Sequence, residues 1–145
     1  MSTTVCATAR NLQELPAAVA TIKQAMEGYT IFALRGQMGA GKTTFVNELM
    51  RQMGVTDDAT GSPSFAIVNQ YDLPTGRPVY HFDLYRLDDE EEVLDTGFTD
   101  YIDSGDICLI EWPDRAEGLL PSDTVDIMIS VDPDTDARTI TFTAS

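Results

Sequence analysis

The segment that most restricts how this chain can fold is residues 36–43, Gly-Gln-Met-Gly-Ala-Gly-Lys-Thr, which follows the pattern G-x-x-x-x-G-K-S/T. This pattern is informative only between a buried strand and a helix. The apolar run at 30–34 leaves no room for a helix before Gly36, so we expect it to be a buried strand. Residues 45–53 carry apolar side chains at helical spacing and are followed by Gly54. The sequence therefore predicts a strand, a glycine-rich loop and a helix, in that order.

The composition of this loop is suited to binding phosphate. A loop that wraps around an anion turns its amide groups inward, and glycines permit the backbone angles that this requires. The N-terminus of the following helix adds a partial positive charge. Lys42 supplies a point charge for the β- and γ-phosphates, and the Thr43 hydroxyl is the expected Mg²⁺ ligand. The predicted ATP-binding residues of the loop are Gly36, Gln37, Met38, Gly39, Ala40, Gly41, Lys42, Thr43 and Thr44.

A nucleotide hydrolase also needs a carboxylate near the metal ion, and two acidic residues follow predicted strands. Glu111 comes directly after the apolar run 107–110, where an acid beside the P-loop strand would reach Mg²⁺. A solvated strand end is the alternative for this residue. Asp83 is the second catalytic candidate. His81 lies two residues before it, so both side chains point to the same face of the strand. His81 either lines the same pocket as Asp83 or is an ordinary half-buried strand histidine. The pattern leaves open which of the two acids orients the attacking water.

Two further features accompany these candidates. The polar segment around 60–64 lies where P-loop proteins commonly carry a switch loop, and the hydroxyls of Thr60, Ser62 and Ser64 could reach phosphate or Mg²⁺. A capped turn explains the same Ser-Pro-Ser sequence equally well. Trp112 follows Glu111 and is either a wall of the nucleotide pocket or an ordinary packing residue.

The remaining patterns predict an α/β fold. Residues 15–26 place apolar side chains on one helical face, with Asn11 as the candidate cap. Runs rich in aromatic and β-branched residues predict a hairpin at 65–84, and alternating apolar residues predict a C-terminal antiparallel hairpin at 125–142. We expect one P-loop NTPase domain over residues 1–145, with helices flanking a mixed β-sheet.

The acidic balance of the chain limits its partners. Nine Lys and Arg residues stand against 24 Asp and Glu, a formal net charge of −15, which repels nucleic acid and anionic lipid. The acidic stretch 88–95 predicts an exposed helix. No apolar run reaches the roughly 18 residues that a membrane helix needs, and residues 1–10 lack the pattern of a signal peptide. These observations predict a cytoplasmic protein without a membrane partner.

Other classes of nucleotide-binding protein fit less well. Residues 58–61 match D-x-x-G and residues 69–72 approximate N-K-x-D, but they lie too close together to serve as a GTPase metal strand and base-reading loop. Adenine is therefore favoured by default. A small-molecule kinase would need an arginine-bearing lid, whereas the sequence scatters Arg77, Arg86, Arg115 and Arg138. A nucleotide-gated interaction module that binds ATP without useful hydrolysis stays open as a third alternative.

Three short strings besides the P-loop carry a family resemblance. They are Gly-Ser-Pro-Ser-Phe at 61–65, His-Phe-Asp-Leu-Tyr-Arg-Leu at 81–87 and Ile-Glu-Trp-Pro at 110–113. In this order and spacing they resemble the TsaE family, small P-loop ATPases of bacterial tRNA threonylcarbamoyladenosine (t6A) biosynthesis, over about residues 12–142. The family usually has threonines where this chain has Gly61 and Ser64.

The resemblance implies an activity, cofactors and partners. It implies that Lys42 and Thr43 bind ATP and Mg²⁺, that Glu111 takes the Walker B role, and that Asp83 and Trp112 belong to the catalytic neighbourhood. It also implies work with TsaB and TsaD, which carry the modification of adenosine 37 in tRNA, with ATP hydrolysis supporting their turnover. The chain would then contact tRNA only indirectly, in agreement with its acidity. Because no cationic cluster accompanies Lys42, we expect low intrinsic hydrolysis that the partners stimulate.

Overall fold

The computed structural model describes residues 3–36, 41–55 and 67–144, in which strands and helices alternate. The strands of these residues are β1 Thr3–Ala9, β2 Ile31–Arg35, β3 Val68–Asp72, β4 Pro78–Asp83, β5 Ile107–Glu111, β6 Val125–Val131 and β7 Arg138–Ala144. The helices are α1 Leu15–Ala25, α2 Lys42–Gln52, α3 Glu90–Asp95 and α4 Phe98–Ile102, together with a 3₁₀ segment, Pro113–Leu119. Within the described residues, no helix combines the length and the hydropathy that a bilayer crossing requires.

The strands of the described residues form one mixed sheet in the order β1-β7-β6-β2-β5-β4-β3. Strands β6, β2, β5 and β4 run parallel, and the outer pairs β1–β7, β7–β6 and β3–β4 are antiparallel. This topology confirms the predicted mixed sheet and both predicted hairpins. Because the four central strands are parallel, they all end at one edge of the sheet, which we call the carboxyl edge.

Helices cover both faces of the central strands. The buried side chains of α1 and α2 pack on one face with Phe32, Leu34 and Leu109, and those of α3, α4 and the 3₁₀ segment pack on the other with Cys108 and Ile110. Successive strand residues point to opposite faces. A strand covered on both sides therefore needs a continuous apolar run, which is why β2 and β5 can be recognised from the sequence.

The structure also differs from the sequence prediction near the N-terminus and around the acidic helix. Helix α1 begins after Glu14, not after Asn11, whose side chain instead accepts a hydrogen bond of 3.1 Å from the Glu14 amide in the preceding turn. Helix α3 is shorter than the acidic stretch, because the Asp89 side chain accepts from the Glu92 amide and caps it there. Strand β1 has a mostly exposed, threonine-rich sequence and was not predicted, since its pairing with β7 comes from the far end of the chain.

Candidate functional site

A cleft of about 430 Å³ opens at the carboxyl edge of the sheet, beside the first turn of α2. The described residues that line it are Gly41, Lys42, Thr43, Thr44, Asp83, Tyr85, Glu111, Trp112 and Arg138. Topology explains why they meet: in the parallel register Glu111 lies opposite both Leu34 and Asp83, so β2, β4 and β5 end at one level. The structure therefore brings the two predicted acids and the described part of the predicted P-loop into one cleft.

Lys42 begins helix α2 and lies beneath an aromatic ring. Its Nζ atom donates a hydrogen bond of 3.0 Å to the Gly36 carbonyl and sits 4.3 Å from the centroid of the Trp112 ring. The preceding residue, Gly41, has φ +95°, a left-handed angle that suits glycine. Lys42 is only 7% exposed, and no carboxylate among the described residues forms an ion pair with it. A buried ammonium in this setting is available to an anion that enters the cleft.

Glu111 is held in place by a histidine. Its Oε2 atom and His81 Nε2 are 2.5 Å apart, and both side chains are buried. A buried, hydrogen-bonded carboxylate is not a solvated strand end, so the structure excludes that alternative for Glu111. His81 also proves to be more than a half-buried strand histidine, because it fixes the orientation of an acid that lines the cleft.

Asp83 differs from Glu111 in its surroundings. Its side chain is exposed, lines the cleft and accepts a hydrogen bond of 3.1 Å from the Tyr85 amide through Oδ1. The cleft thus contains one carboxylate that is buried and oriented and one that faces solvent. Such a difference allows the two acids to take different chemical roles.

Trp112 adopts a backbone conformation that is unusual for a bulky residue. Its φ of 58° and ψ of 51° are left-handed, which costs roughly 1–3 kcal/mol for a residue other than glycine. The turn lies directly after β5, and the indole covers Lys42 while its centroid lies 4.9 Å from that of Tyr85. Of the two alternatives that the sequence left open, the structure therefore favours the pocket wall.

Arg138 is a cleft residue that the sequence analysis missed. It was grouped with scattered arginines, yet it begins β7 at the carboxyl edge and lines the cleft. A Cβ atom added to Gly41 would lie 2.9 Å from Arg138 Nε. The sequence does place Arg138 at the start of the last strand of a predicted hairpin. That strand begins at the carboxyl edge only because β6, its hairpin partner, runs parallel to β2, and the sequence does not show this direction.

Comparison with known proteins identifies the family of this chain. The family model described as "Threonylcarbamoyl adenosine biosynthesis protein TsaE" matches residues 9–140. The chain belongs to the TsaE family. Family membership explains why the P-loop, His-x-Asp-x-Tyr-Arg-Leu and Ile-Glu-Trp-Pro strings occur together in one chain, and it confirms the family resemblance that these strings indicate.

Individual relatives agree with the family model. The chain is 40% identical over 111 residues to the tRNA threonylcarbamoyladenosine biosynthesis protein TsaE of Haemophilus influenzae, covering 77% of this chain and 68% of that protein. It is 40% identical over 114 residues to TsaE of Bacillus subtilis, covering 79% of this chain and 69% of that protein. The crystal structure of Bacillus subtilis YdiB superimposes with a TM-score of 0.72 at 32% identity, covering 99% of this chain and 87% of that one.

The oxygen atoms in this TsaE cleft are suited to a hard cation. Thr43, Asp83 and Glu111 could supply hydroxyl and carboxylate ligands. Among the described residues no three His, Cys, Asp or Glu side chains form a ready-made metal cluster. The predicted residues Gln37, Met38, Gly39 and Ala40 of the P-loop, and Thr60, Ser62 and Ser64 of the predicted switch loop, lie outside the described residues.

Proposed function

We propose that this chain is a Mg²⁺-dependent ATPase that serves as an accessory subunit of the tRNA threonylcarbamoylation machinery, together with TsaB and TsaD. The observation that carries the proposal is the convergence of Lys42, Thr43, Asp83 and Glu111 in one cleft at the first turn of α2. A cation, a hydroxyl and two carboxylates beside a helix N-terminus form a set of groups suited to a nucleoside triphosphate and its metal.

ATP binding would rest on Lys42 and the N-terminus of α2. The Gly36 carbonyl accepts from one donor of the ammonium, and no hydrogen bond to another described residue uses the other two, which phosphate oxygens could accept. The first amides of a helix lack intrahelical acceptors and attract anions. Lys42 and the N-terminus of α2 thus offer positive groups to phosphate although the chain as a whole has a net charge of −15.

The described residues fit Mg²⁺ better than a cation that needs a complete protein cage. Mg²⁺ keeps several waters and is usually held by one or two carboxylates and the substrate phosphates, so the lack of a three-ligand cluster among the described residues agrees with it. We propose that Thr43 and Glu111 hold the ion. When bound, Mg²⁺ would neutralise the charge that develops on the β- and γ-phosphate oxygens.

Hydrolysis would divide the two acids between two tasks. Glu111, oriented by the His81 hydrogen bond of 2.5 Å, would hold the metal and its waters. Asp83 faces the open cleft and would accept a hydrogen bond from the attacking water. Trp112 and Tyr85 would exclude bulk solvent from one side of the phosphates.

The accessory role rests on family membership and on charge. Relatives are named tRNA threonylcarbamoyladenosine biosynthesis proteins. A chain with a formal charge of −15 is poorly suited to gripping tRNA by itself. We therefore propose that it acts on tRNA only through TsaB and TsaD, and that ATP hydrolysis supports turnover of that complex.

A turnover assay tests this proposal. Phosphate release from ATP and Mg²⁺ would be measured for the chain alone and with TsaB and TsaD of the same organism, and t6A formation would be followed in parallel. We expect slow hydrolysis alone, faster hydrolysis with the partners, and multiple rounds of t6A formation only when ATP is hydrolysed. Nucleotide binding without hydrolysis under any of these conditions would instead support an interaction module.

A further inference from the structure

Two buried polar atoms close to Glu111 lack hydrogen-bond partners. The imidazole of His81, which is 8% exposed, contacts Glu111 through Nε2. Its other nitrogen, Nδ1, is shielded from solvent and has no hydrogen-bond partner within the described part of the chain. The same is true of Asn69 Oδ1. Because buried polar groups are nearly always hydrogen-bonded, two such atoms on neighbouring strands indicate side chains that interact with each other.

The sheet register places these two side chains face to face. Asn69 on β3 lies directly opposite His81 on β4 in the antiparallel pair. Opposed residues point to the same face of a sheet, with Cβ atoms roughly 4.5–5.5 Å apart. Leu109 lies beside His81 on β5 and packs beneath α1 and α2. The amide and the imidazole therefore lie on the face of the sheet that carries α2.

Polar side chains are unusual at this depth of the sheet. The next row on the same face, one step further from the cleft, packs into the hydrophobic cluster beneath α1 and α2, and its members are Tyr71, Val79 and Ile107. An apolar pair would suit the row of Asn69 and His81 equally well, since burying polar groups lowers stability unless they are hydrogen-bonded. The amide and the imidazole are therefore better explained by the carboxylate that they lead to.

The proposed metal site decides how the ring of His81 is used. A carboxylate that holds Mg²⁺ carries no proton, so Nε2 must be the donor to Glu111 Oε2. A neutral imidazole then has a bare Nδ1, which can only accept a hydrogen bond. The Asn69 amide can supply the donor, because a half-turn exchanges its oxygen and nitrogen and leaves its shape unchanged.

We propose that Asn69 is a positioning residue for Glu111. Its Nδ2 donates to His81 Nδ1, His81 Nε2 donates to Glu111 Oε2, and Glu111 Oε1 is left for the metal ion. An outer hydrogen bond of this kind fixes both the tautomer and the orientation of a histidine. Asn69 is not among the described residues that line the cleft, so it acts only through His81. The inference rests on the proposed ATPase function.

Nitrogen NMR of the imidazole tests this arrangement directly, because His81 is the only histidine of the chain. Protonated and bare ring nitrogens resonate in separate ranges, so untagged, ligand-free protein labelled with ¹⁵N-histidine shows where the proton lies. We expect wild type to have a protonated Nε2 and a bare Nδ1. Asn69→Asp keeps the shape of the side chain but cannot donate, and should draw a proton to Nδ1. The control Asn11→Asp, which keeps an acceptor for the Glu14 amide, should match wild type.

The dependence of turnover on Mg²⁺ tests the consequence for the site. In the presence of TsaB and TsaD, we expect Asn69→Asp and Asn69→Ala to raise the Mg²⁺ concentration for half-maximal ATP hydrolysis by about tenfold. Calorimetry with ADP in the absence of Mg²⁺ should give wild-type affinity, because Lys42 and the N-terminus of α2 are unchanged. Asn69→Gln keeps an amide donor and should recover part of the loss.

Other results would overturn the assignment. A proton on Nδ1 of wild type would rule out Asn69 as its donor. An unchanged tautomer and Mg²⁺ dependence in the variants would make Asn69 a packing residue, and an equal loss of ADP affinity without Mg²⁺ would indicate a distorted cleft. If Asn69→Ala fails to fold, the nearly isosteric Asn69→Asp decides by the same pattern. If wild type neither binds ADP nor hydrolyses ATP, the proposed function fails, whereas the NMR measurement still decides whether Asn69 holds His81.

Discussion

At the scale of single residues, the cleft is built from groups whose surroundings leave them ready for a ligand. Lys42 is buried without a carboxylate partner in the described part of the chain, and Trp112 covers it in a left-handed conformation. Glu111 is oriented by His81, whereas Asp83 stays exposed. Backbone strain and unpartnered buried charge both lower stability. Their concentration here indicates a site shaped for binding and not for stability alone.

Lys42→Ala should abolish productive ATP binding and leave the fold intact. Removing the ammonium deletes its contact with the phosphates, and we expect affinity to fall by about a hundredfold or more. The cost in stability is the Gly36 hydrogen bond and the Trp112 contact, together about 1–2 kcal/mol. Calorimetry with ATP and Mg²⁺, beside a thermal melt, measures both effects. Lys23→Ala removes the chain's other lysine and serves as the matched control.

Glu111→Gln should impair hydrolysis more than nucleotide binding. Glutamine keeps the shape of the side chain and an acceptor for His81, but it removes the charge that would help to hold the metal and its waters. We expect turnover with partners to fall about a hundredfold, with ADP affinity little changed. Asp123→Asn, an exposed acid before β6 at the opposite edge of the sheet, is the control. Wild-type turnover by Glu111→Gln would make Asp83 the main catalytic candidate.

At the scale of elements, β5 is the rigid support for Glu111 and for the turn at Trp112. It lies between β2 and β4, with hydrophobic clusters on both faces. Its last residue is Glu111, and the left-handed turn at Trp112 follows directly. A strand covered on both faces has little freedom to move. The carboxylate and the indole are therefore held in position before any ligand arrives.

The burial of β5 can be measured through its cysteine. Burial, with a smaller contribution from the charge of Asp106, raises the pKa of the Cys108 thiol to about 12. At pH 8 this thiol stays protonated and unreactive, whereas Cys6 is exposed. We expect a thiol-specific chromogenic disulfide to modify Cys6 rapidly in the native protein and both cysteines in denaturant. Rapid native modification of Cys108, checked with Cys6→Ser, would show that β5 opens readily.

At the scale of the whole molecule, the cleft combines two cations with two carboxylates in a chain that is strongly acidic overall. The chain carries 24 acidic and nine basic residues, yet Lys42 and Arg138 both line the cleft. Lys42 is the described cation that the proposed function assigns to the phosphates. We propose that a group supplied by a partner adds to the stabilisation of charge on the γ-phosphate.

Assembly with TsaB and TsaD should therefore raise hydrolysis and depend on salt. An added cation at the γ-phosphate is worth about a thousandfold in rate or more, and an acidic surface attracts a complementary basic one. We expect the isolated chain to hydrolyse ATP slowly and its complex to weaken as ionic strength rises. Phosphate release and sedimentation at several salt concentrations would test both points. A rate that the partners leave unchanged, or no complex with ATP and Mg²⁺ present, would contradict the proposal.

Local patterns in the sequence were sufficient to predict the central elements of the fold and the main candidate residues of the site. Strands β2 and β5 read as continuous apolar runs because both of their faces are covered. Helix α2 was recognisable from its periodic apolar face and from the glycine-rich loop before it. Glu111 could be proposed because an acid stands out directly after such an apolar run, and Asp83 because it ends a predicted strand and shares a strand face with His81.

Only the tertiary structure decided which distant groups meet. The His81 to Glu111 hydrogen bond spans 30 residues of sequence and depends on β4 lying beside β5 in a parallel register. Arg138 enters the cleft because β6 runs parallel to β2 and its hairpin partner β7 begins at the same edge. Strand β1 exists because β7 offers it a free edge. The physical reason is the same for the hydrogen bond, for Arg138 and for β1. The periodicity of apolar residues shows which face of an element is buried, whereas the order of strands is a property of the packed sheet as a whole.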